Sequence, residues 1–182
     1  MLNAQRAARR KPGPKWRHAL AAGAIALSLT GAGVQIGGVP AQCAARNALP
    51  DSVCTPGTTN PNVTAGNVQT TICQSGFTAK IRPPVSYTNP LKLELMRRYG
   101  LTGQPADYEL DHLISLELGG DPRSPANLWP EAYQPEPGAH AKDRVENYLK
   151  AQVCSGAMTL AAAQQQVSHD WLSVWKRITS LP

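Results

Sequence analysis

The chain has 182 residues and a formal net charge of +6, a total that would suit a nucleic-acid binder. Six of its 18 Lys+Arg residues (Arg6, Arg9, Arg10, Lys11, Lys15 and Arg17) lie in residues 1–41, which hold no acid, so 12 basic residues face all 12 acidic ones beyond them. The totals for that remainder therefore show no broad electrostatic attraction to nucleic acid, and its length suits one modest domain.

Residues 1–41 have the layout of a secretory signal. A basic segment ends near Arg17-His18, ALAAGAIALSLTGAGVQIGGV follows, and Val39-Pro40-Ala41 places small residues just ahead of Gln42. The apolar run is about long enough to span a bilayer, but Gly, Ser, Thr and Gln dilute it. A cleaved leader is expected, with a secreted or periplasmic product that keeps no membrane association. All four cysteines (Cys43, Cys54, Cys73 and Cys154) lie beyond the leader. An even count in an exported chain argues for two disulfides. Of the three possible pairings, Cys43–Cys54 with Cys73–Cys154 is favoured: the first closes a small N-terminal loop and the second staples the start of the domain to a late helix. There is no Cys-x-x-Cys pair, so a zinc site built on thiolates is not expected.

Residues 42–71 (including CTPGTTNPNVTAGNVQTT) are rich in Thr, Asn, Pro and Gly and read as an extended, loop-rich arm with little core of its own. FTAKIRP has the alternation of a short strand that Pro83-Pro84 stops. NPLKLELMRRYG predicts a short helix, with Asn89 as N-cap, Pro90 in the first turn, Gly100 as the left-handed stop, and Leu91, Leu95 and Tyr99 on one face. YELDHL and NLWP predict two short strands, joined through Gly119-Gly120 and a turn around DPRSPA. HAKDRVENYLKAQV is helical, with Val145, Leu149 and Val153 four apart, and Ser155-Gly156 breaks it. Thr159 caps a final helix whose Leu160, Ala163, Val167, Trp171 and Val174 form a core-facing stripe. His169-Asp170 on that helix reads as a surface pair. The order of elements predicts a small α+β domain over residues 72–182.

Packing does not explain Asp111-His112, an acid beside an imidazole inside an apolar run. Taken singly, Asp111-His112, Asn127 and His140 all have bland readings as an exposed acid, a core histidine, a turn residue and a first-turn helix residue. Together they place an imidazole at the end of one strand, an amide near the next, and a second imidazole at a helix start.

The segment ELDHLISLELGG, with NLWPE and AHAKDRVEN after it, resembles the HNH, or His-Me finger, endonucleases, with His112, Asn127 and His140 in the three lettered positions. From ICQSGFTAKIRPPVSYTNPLK to the terminal helix the chain is also similar to exported bacterial proteins bearing this motif. The resemblance implies a ββα-metal unit with flanking helices. It implies His112 as the general base that takes a proton from water, and Asn127 as the group that holds the imidazole in its tautomer and orientation. Asp111 and His140 would be ligands to a divalent cation, Mg²⁺ or Mn²⁺ first, with Ni²⁺ or Zn²⁺ open to an imidazole ligand. EAYQPEPG lengthens the gap before His140, which makes Asp143 or Glu146 the next candidates, and the Cys-x-x-Cys brace of many such proteins is missing. Arg123, Lys142 and Arg144 lie beside the motif and would meet phosphates. The expectation is therefore an exported metal-dependent endonuclease acting on nucleic acid, DNA ahead of RNA. Neutrality beyond the leader supports an alternative, a non-catalytic exported binding domain of degenerate HNH fold.

Overall fold

The computed structural model describes residues 43–180, and the expected leader at residues 1–41 lies outside them. The described chain is mixed: four helices and a two-stranded antiparallel sheet, in the order α1 (Phe77–Ile81), α2 (Val85–Arg98), β1 (Tyr108–His112), β2 (Leu128–Ala132), α3 (Ala139–Cys154) and α4 (Leu160–Thr179). The expected α+β class holds. No helix among the described residues is long and apolar enough to cross a membrane.

The core is the meeting of α3 and α4. Val145, Leu149 and Val153 of α3 and Leu160, Ala163, Val167, Trp171 and Val174 of α4 are all buried, joined by Ile72 and Leu118. The four-residue spacing on α3 and the stripe on α4 are thus core, as the periodicity predicts. Each large apolar side chain contributes about 1.5–3 kcal/mol by leaving water. Thr159 caps α4, its side chain accepting from the Ala162 amide at 3.2 Å. Asp170 breaks the helical backbone of α4 in its second half, and His169-Asp170 is exposed as expected.

Two elements differ from the sequence reading. FTAKI is helical: Lys80 and Arg82 amides bond to the carbonyls of Gly76 and Thr78. Five residues fit either period, because Phe77 and Ile81 are also four apart. Phe77 packing on the core and Gly76 entering at φ 76° decide for helix. Likewise α2 begins at Val85, with Pro84 as its N-cap, so Asn89 is not the cap and Pro90 lies inside the helix. Pro90 leaves the Ser86 carbonyl without its helical donor, while Leu95 and Tyr99 bury the face that the spacing predicts.

Both favoured disulfides are present, Cys43–Cys54 and Cys73–Cys154. The first sits in a second apolar cluster with Tyr99, Leu113 and Trp129. The arm runs against the loop that joins the strands. The Gly57 and Asn60 amides donate to the carbonyls of Ala126 and Gly119 at 2.9 and 2.8 Å, and the Asp121 amide donates to the Thr58 carbonyl at 2.8 Å. Such proximity explains Gly119-Gly120. A Cβ on Gly119 would stand 2.6 Å from Val63 Cγ1, and one on Gly120 would stand 1.7 Å from the Ile114 carbonyl oxygen.

Cys73 and Cys154 are separated by 81 residues, so their bond removes much of the unfolded chain's freedom. Replacing both by Ser should lower the stability measured by denaturant unfolding by about 2–5 kcal/mol, a larger loss than opening Cys43–Cys54, which spans 11 residues.

Candidate active site

The register of the hairpin sets the site. Asp111 pairs with Trp129 and Glu109 with Glu131, so these four side chains share one face, while His112 ends β1 opposite Leu128. The His112 ring is buried, and its Nε2 bonds to the Pro122 carbonyl at 3.1 Å. A carbonyl only accepts, so Nε2 carries the proton and the neutral ring keeps a free lone pair on Nδ1. Burial is the main influence on this imidazole and holds its pKa below the usual histidine value, against the Pro122 bond and the Asp111 carboxylate.

Asn127 is fully buried and makes no hydrogen bond to the imidazole. Its Oδ1 accepts from the Ile114 amide at 2.9 Å, and its Nδ2 donates to the carbonyls of Ile114 and Asp121 at 2.9 and 3.0 Å. The expected direct hold on His112 is therefore replaced by a longer route. Asn127 clamps the loop between the strands, and Pro122, next to Asp121, supplies the carbonyl that orients the ring.

The helix side of the site is organised by Lys142, only 1% exposed. Its Nζ donates to Asp111 Oδ2 at 2.8 Å, to the His112 carbonyl at 3.0 Å, and to Glu146 Oε1. Asp111 Oδ2 also accepts from Trp129 Nε1 at 3.1 Å. Burial alone would lower the lysine pKa, but Asp111, Glu146 and Glu131 outweigh it and raise it above its ordinary value. Burial pushes Glu146 up to about 8 despite the ammonium beside it, and pushes Glu131 up to about 10, with Asp111 adding to the rise. Burial raises Glu109 as well. At neutral pH Glu131 and Glu146 are thus held largely protonated beside the Lys142–Asp111 contact.

A cavity of about 210 Å³ opens between β1 and α3, lined by Arg82, Glu109, Asp111, His112, Asp143 and Glu146 among others. Of the residues singled out from sequence, Asp111 and His112 meet there, and Asp143 and Glu146, the named substitutes for His140, are on its wall. His140 is not. Its side chain is 70% exposed, 3.7 Å from Asp143, with its ring 4.7 Å from that of Tyr133. Position one turn earlier on α3 aims it outward, which corrects the expectation of His140 as a ligand. Lys142 is too deeply buried to meet a phosphate, and so is corrected too. Arg123 and Arg144 lie over the rings of Tyr87 and Trp175, at 4.9 and 4.6 Å from the centroids, and neither lines the cavity. Arg82, exposed and free of ion pairs with the described residues, is the cation that does. Nothing in its short segment marked it. Glu109 and Glu131 were open to a period-two argument, being the same-face neighbours of Asp111 and Trp129.

As donors to a cation, Asp111 and Glu146 each have one oxygen engaged by Lys142 and one without a protein partner. No three His, Cys, Asp or Glu side chains among the described residues converge as a ready ligand set. The donors fit an oxygen-preferring ion held by one or two carboxylates and otherwise by water. No protein-family model, no curated protein and no solved structure matches the chain.

Lys142→Met leaves Asp111 and Glu146 without their shared ammonium. It should cost about 3–5 kcal/mol in denaturant unfolding, the loss typical of breaking a buried ion pair from one side. Glu131 supplies a pH test. Its folded pKa lies above its ordinary 4.5, so stability from keeping it protonated is full below that value and is lost as pH rises toward about 10. The melting temperature should fall between about pH 5 and 9, and Glu131→Gln should flatten that slope.

Proposed function

We propose that the chain is an exported, metal-dependent phosphodiesterase of the HNH, or His-Me finger, type, cutting nucleic acid and DNA ahead of RNA. The observation that carries this reading is the buried, neutral imidazole of His112, anchored through Nε2 to the Pro122 carbonyl beside a carboxylate-lined cavity. Strand, loop, strand and helix follow in the order that a ββα-metal unit requires. Export is supported by the leader-like residues 1–41 and by two disulfides, which persist in oxidising compartments.

In this reading Nδ1 of His112 removes a proton from water as that water attacks phosphorus. Arg82 meets the phosphate at the cavity wall, where its charge offsets the acidic surroundings. Asp111, with Glu146 or Asp143 from α3, would hold the cation, and the carboxylate character of that set favours Mg²⁺ or Mn²⁺ over Ni²⁺ or Zn²⁺. A bound cation supplies charge neutralisation at the leaving oxygen. Lys142 keeps the Asp111 carboxylate and the end of β1 in register with α3.

A second reading, a non-catalytic exported binding domain, is favoured by one feature. The Lys142 ammonium already sits between Asp111 and Glu146, where it neutralises charge that a cation would otherwise meet.

Plasmid nicking separates the two. The nuclease reading expects cleavage with Mg²⁺ or Mn²⁺, its loss with EDTA, and a fall of about 10²–10⁴-fold for His112→Ala, the usual worth of a general base. His140→Ala should stay within a few-fold of the parent, and Arg82→Ala should weaken substrate binding. Intact plasmid under every metal, or a His112→Ala protein as active as the parent, would transfer the argument to the binding domain.

A further inference from the structure

Two elements far apart in sequence meet on the turn that orients His112. His112 Nε2 donates to the Pro122 carbonyl at 3.1 Å, and the Tyr87 hydroxyl donates to the next carbonyl, that of Arg123, at 2.5 Å. Consecutive Cα atoms lie about 3.8 Å apart, so Tyr87 is fastened one residue away from the anchor of the imidazole. The segment that carries Tyr87 is tied to the cavity as well. Arg82, just ahead of Pro83-Pro84 and the start of α2, lines the carboxylate cavity.

A single ring holds Arg123 at both ends. Its carbonyl accepts from the Tyr87 hydroxyl, and its Cζ lies over the same ring, 4.9 Å from the centroid. The side chain is exposed and makes no ion pair with any described residue. Asp121, the acid of that turn, accepts through Oδ1 from the Arg123 and Ser124 amides, both at 2.8 Å, and leaves the guanidinium alone. One side of a planar cation therefore rests on tyrosine, and the rest of it is open to solvent.

We propose that the Tyr87–Arg123 pair stacks an unpaired nucleobase beside the phosphate held at Arg82 and His112, so that the substrate is single-stranded DNA. The inference deepens the nuclease reading and rests on it for the place of that phosphate. Guanidinium planes and aromatic rings are the surfaces on which proteins stack splayed bases. A base inside a duplex has both faces covered by its neighbours and offers neither. Charge argues the same way. Beyond residue 41, 12 basic residues only balance 12 acidic ones, so phosphate attraction alone gives a duplex little hold. Stacking asks for no net charge, and Arg82 and Arg123 place what cationic character there is on either side of Tyr87. A supercoiled plasmid still qualifies as substrate, because negative supercoiling favours local opening of its strands.

A fluorescein-labelled oligothymidylate of about 12 nucleotides, titrated with the disulfide-bonded protein in EDTA and followed by anisotropy, should bind saturably. A hairpin duplex with the same number of phosphates, and a strand of equal length with abasic sites in place of bases, should each bind at least about tenfold more weakly. Arg123→Lys keeps the charge and removes the plane. It should weaken the oligothymidylate about tenfold and leave the abasic strand within about twofold of the parent. No saturable binding, equal binding of the duplex or of the abasic strand, or an Arg123→Lys protein that holds the oligothymidylate as tightly as the parent would each overturn the subsite. Adding Mg²⁺ or Mn²⁺ separates the two readings. Tight binding of the strand without cleavage would remove the nuclease and keep the subsite, whereas relaxed duplex and single strand cut at equal rates would keep the nuclease and overturn the subsite.

Discussion

An ammonium group without water ties the sheet to the helices. Isolated in an apolar interior, the charge of Lys142 would cost several kcal/mol. It is tolerated because all three of its donors end on oxygen: Asp111, Glu146 and the carbonyl of His112. Two of these belong to β1 and one to α3, so the bonds that satisfy the charge also set how strand and helix meet. Moving α3 by a turn would carry Lys142 and Glu146 away together and strand the Asp111 carboxyl on β1. The same contacts explain why the site is less negative than a count of acids suggests. Burial keeps Glu131 and Glu146 protonated near neutrality, leaving Asp111 and Lys142 to cancel each other. A polyanion approaching this wall would meet Arg82 as its one cationic side chain, beside the acids Glu109, Glu117 and Asp143.

The imidazole is governed from a distance. Asn127 fills its hydrogen-bonding capacity on backbone groups of the loop, and the loop in turn presents the Pro122 carbonyl to Nε2. A tautomer is thus chosen by a carbonyl whose position depends on an amide that is not hydrogen-bonded to the ring. The arrangement also demands glycine at 120, because the clamp draws the Ile114 carbonyl to within 1.7 Å of where a Cβ would stand.

How far the sequence foretells this depends on the length of each signal. The stripe on α4 runs from Leu160 to Val174 and the α3 spacing from Val145 to Val153, long enough for one period to dominate, and both became core. Asp111-His112 stood out because two polar side chains interrupted an apolar strand, and they do meet in one cavity. FTAKI was too short to separate a period of two from one of 3.6. His140 matched a lettered position, yet its outward direction depends on the phase of α3, which Lys142 sets through contacts made in three dimensions. Lys142 itself read as a surface base for the same reason: nothing local announces that three oxygens will surround it. Arg82 was silent, being brought to the cavity by a short helix the alternation had concealed.

The arm acquires a different meaning from its hydrogen bonds to the strand-joining loop. Gly57, Thr58 and Asn60 brace Ala126, Asp121 and Gly119, on either side of the proline that orients His112. A shortened chain starting at Ile72 would keep every side chain of the carboxylate cavity and still lose the outer support of its imidazole. The unit that matters for engineering is therefore wider than the motif. Composition marks residues 42–71 as a loop-rich arm with little core of its own, whereas the backbone at 57–60 serves as scaffolding for the loop that orients the ring.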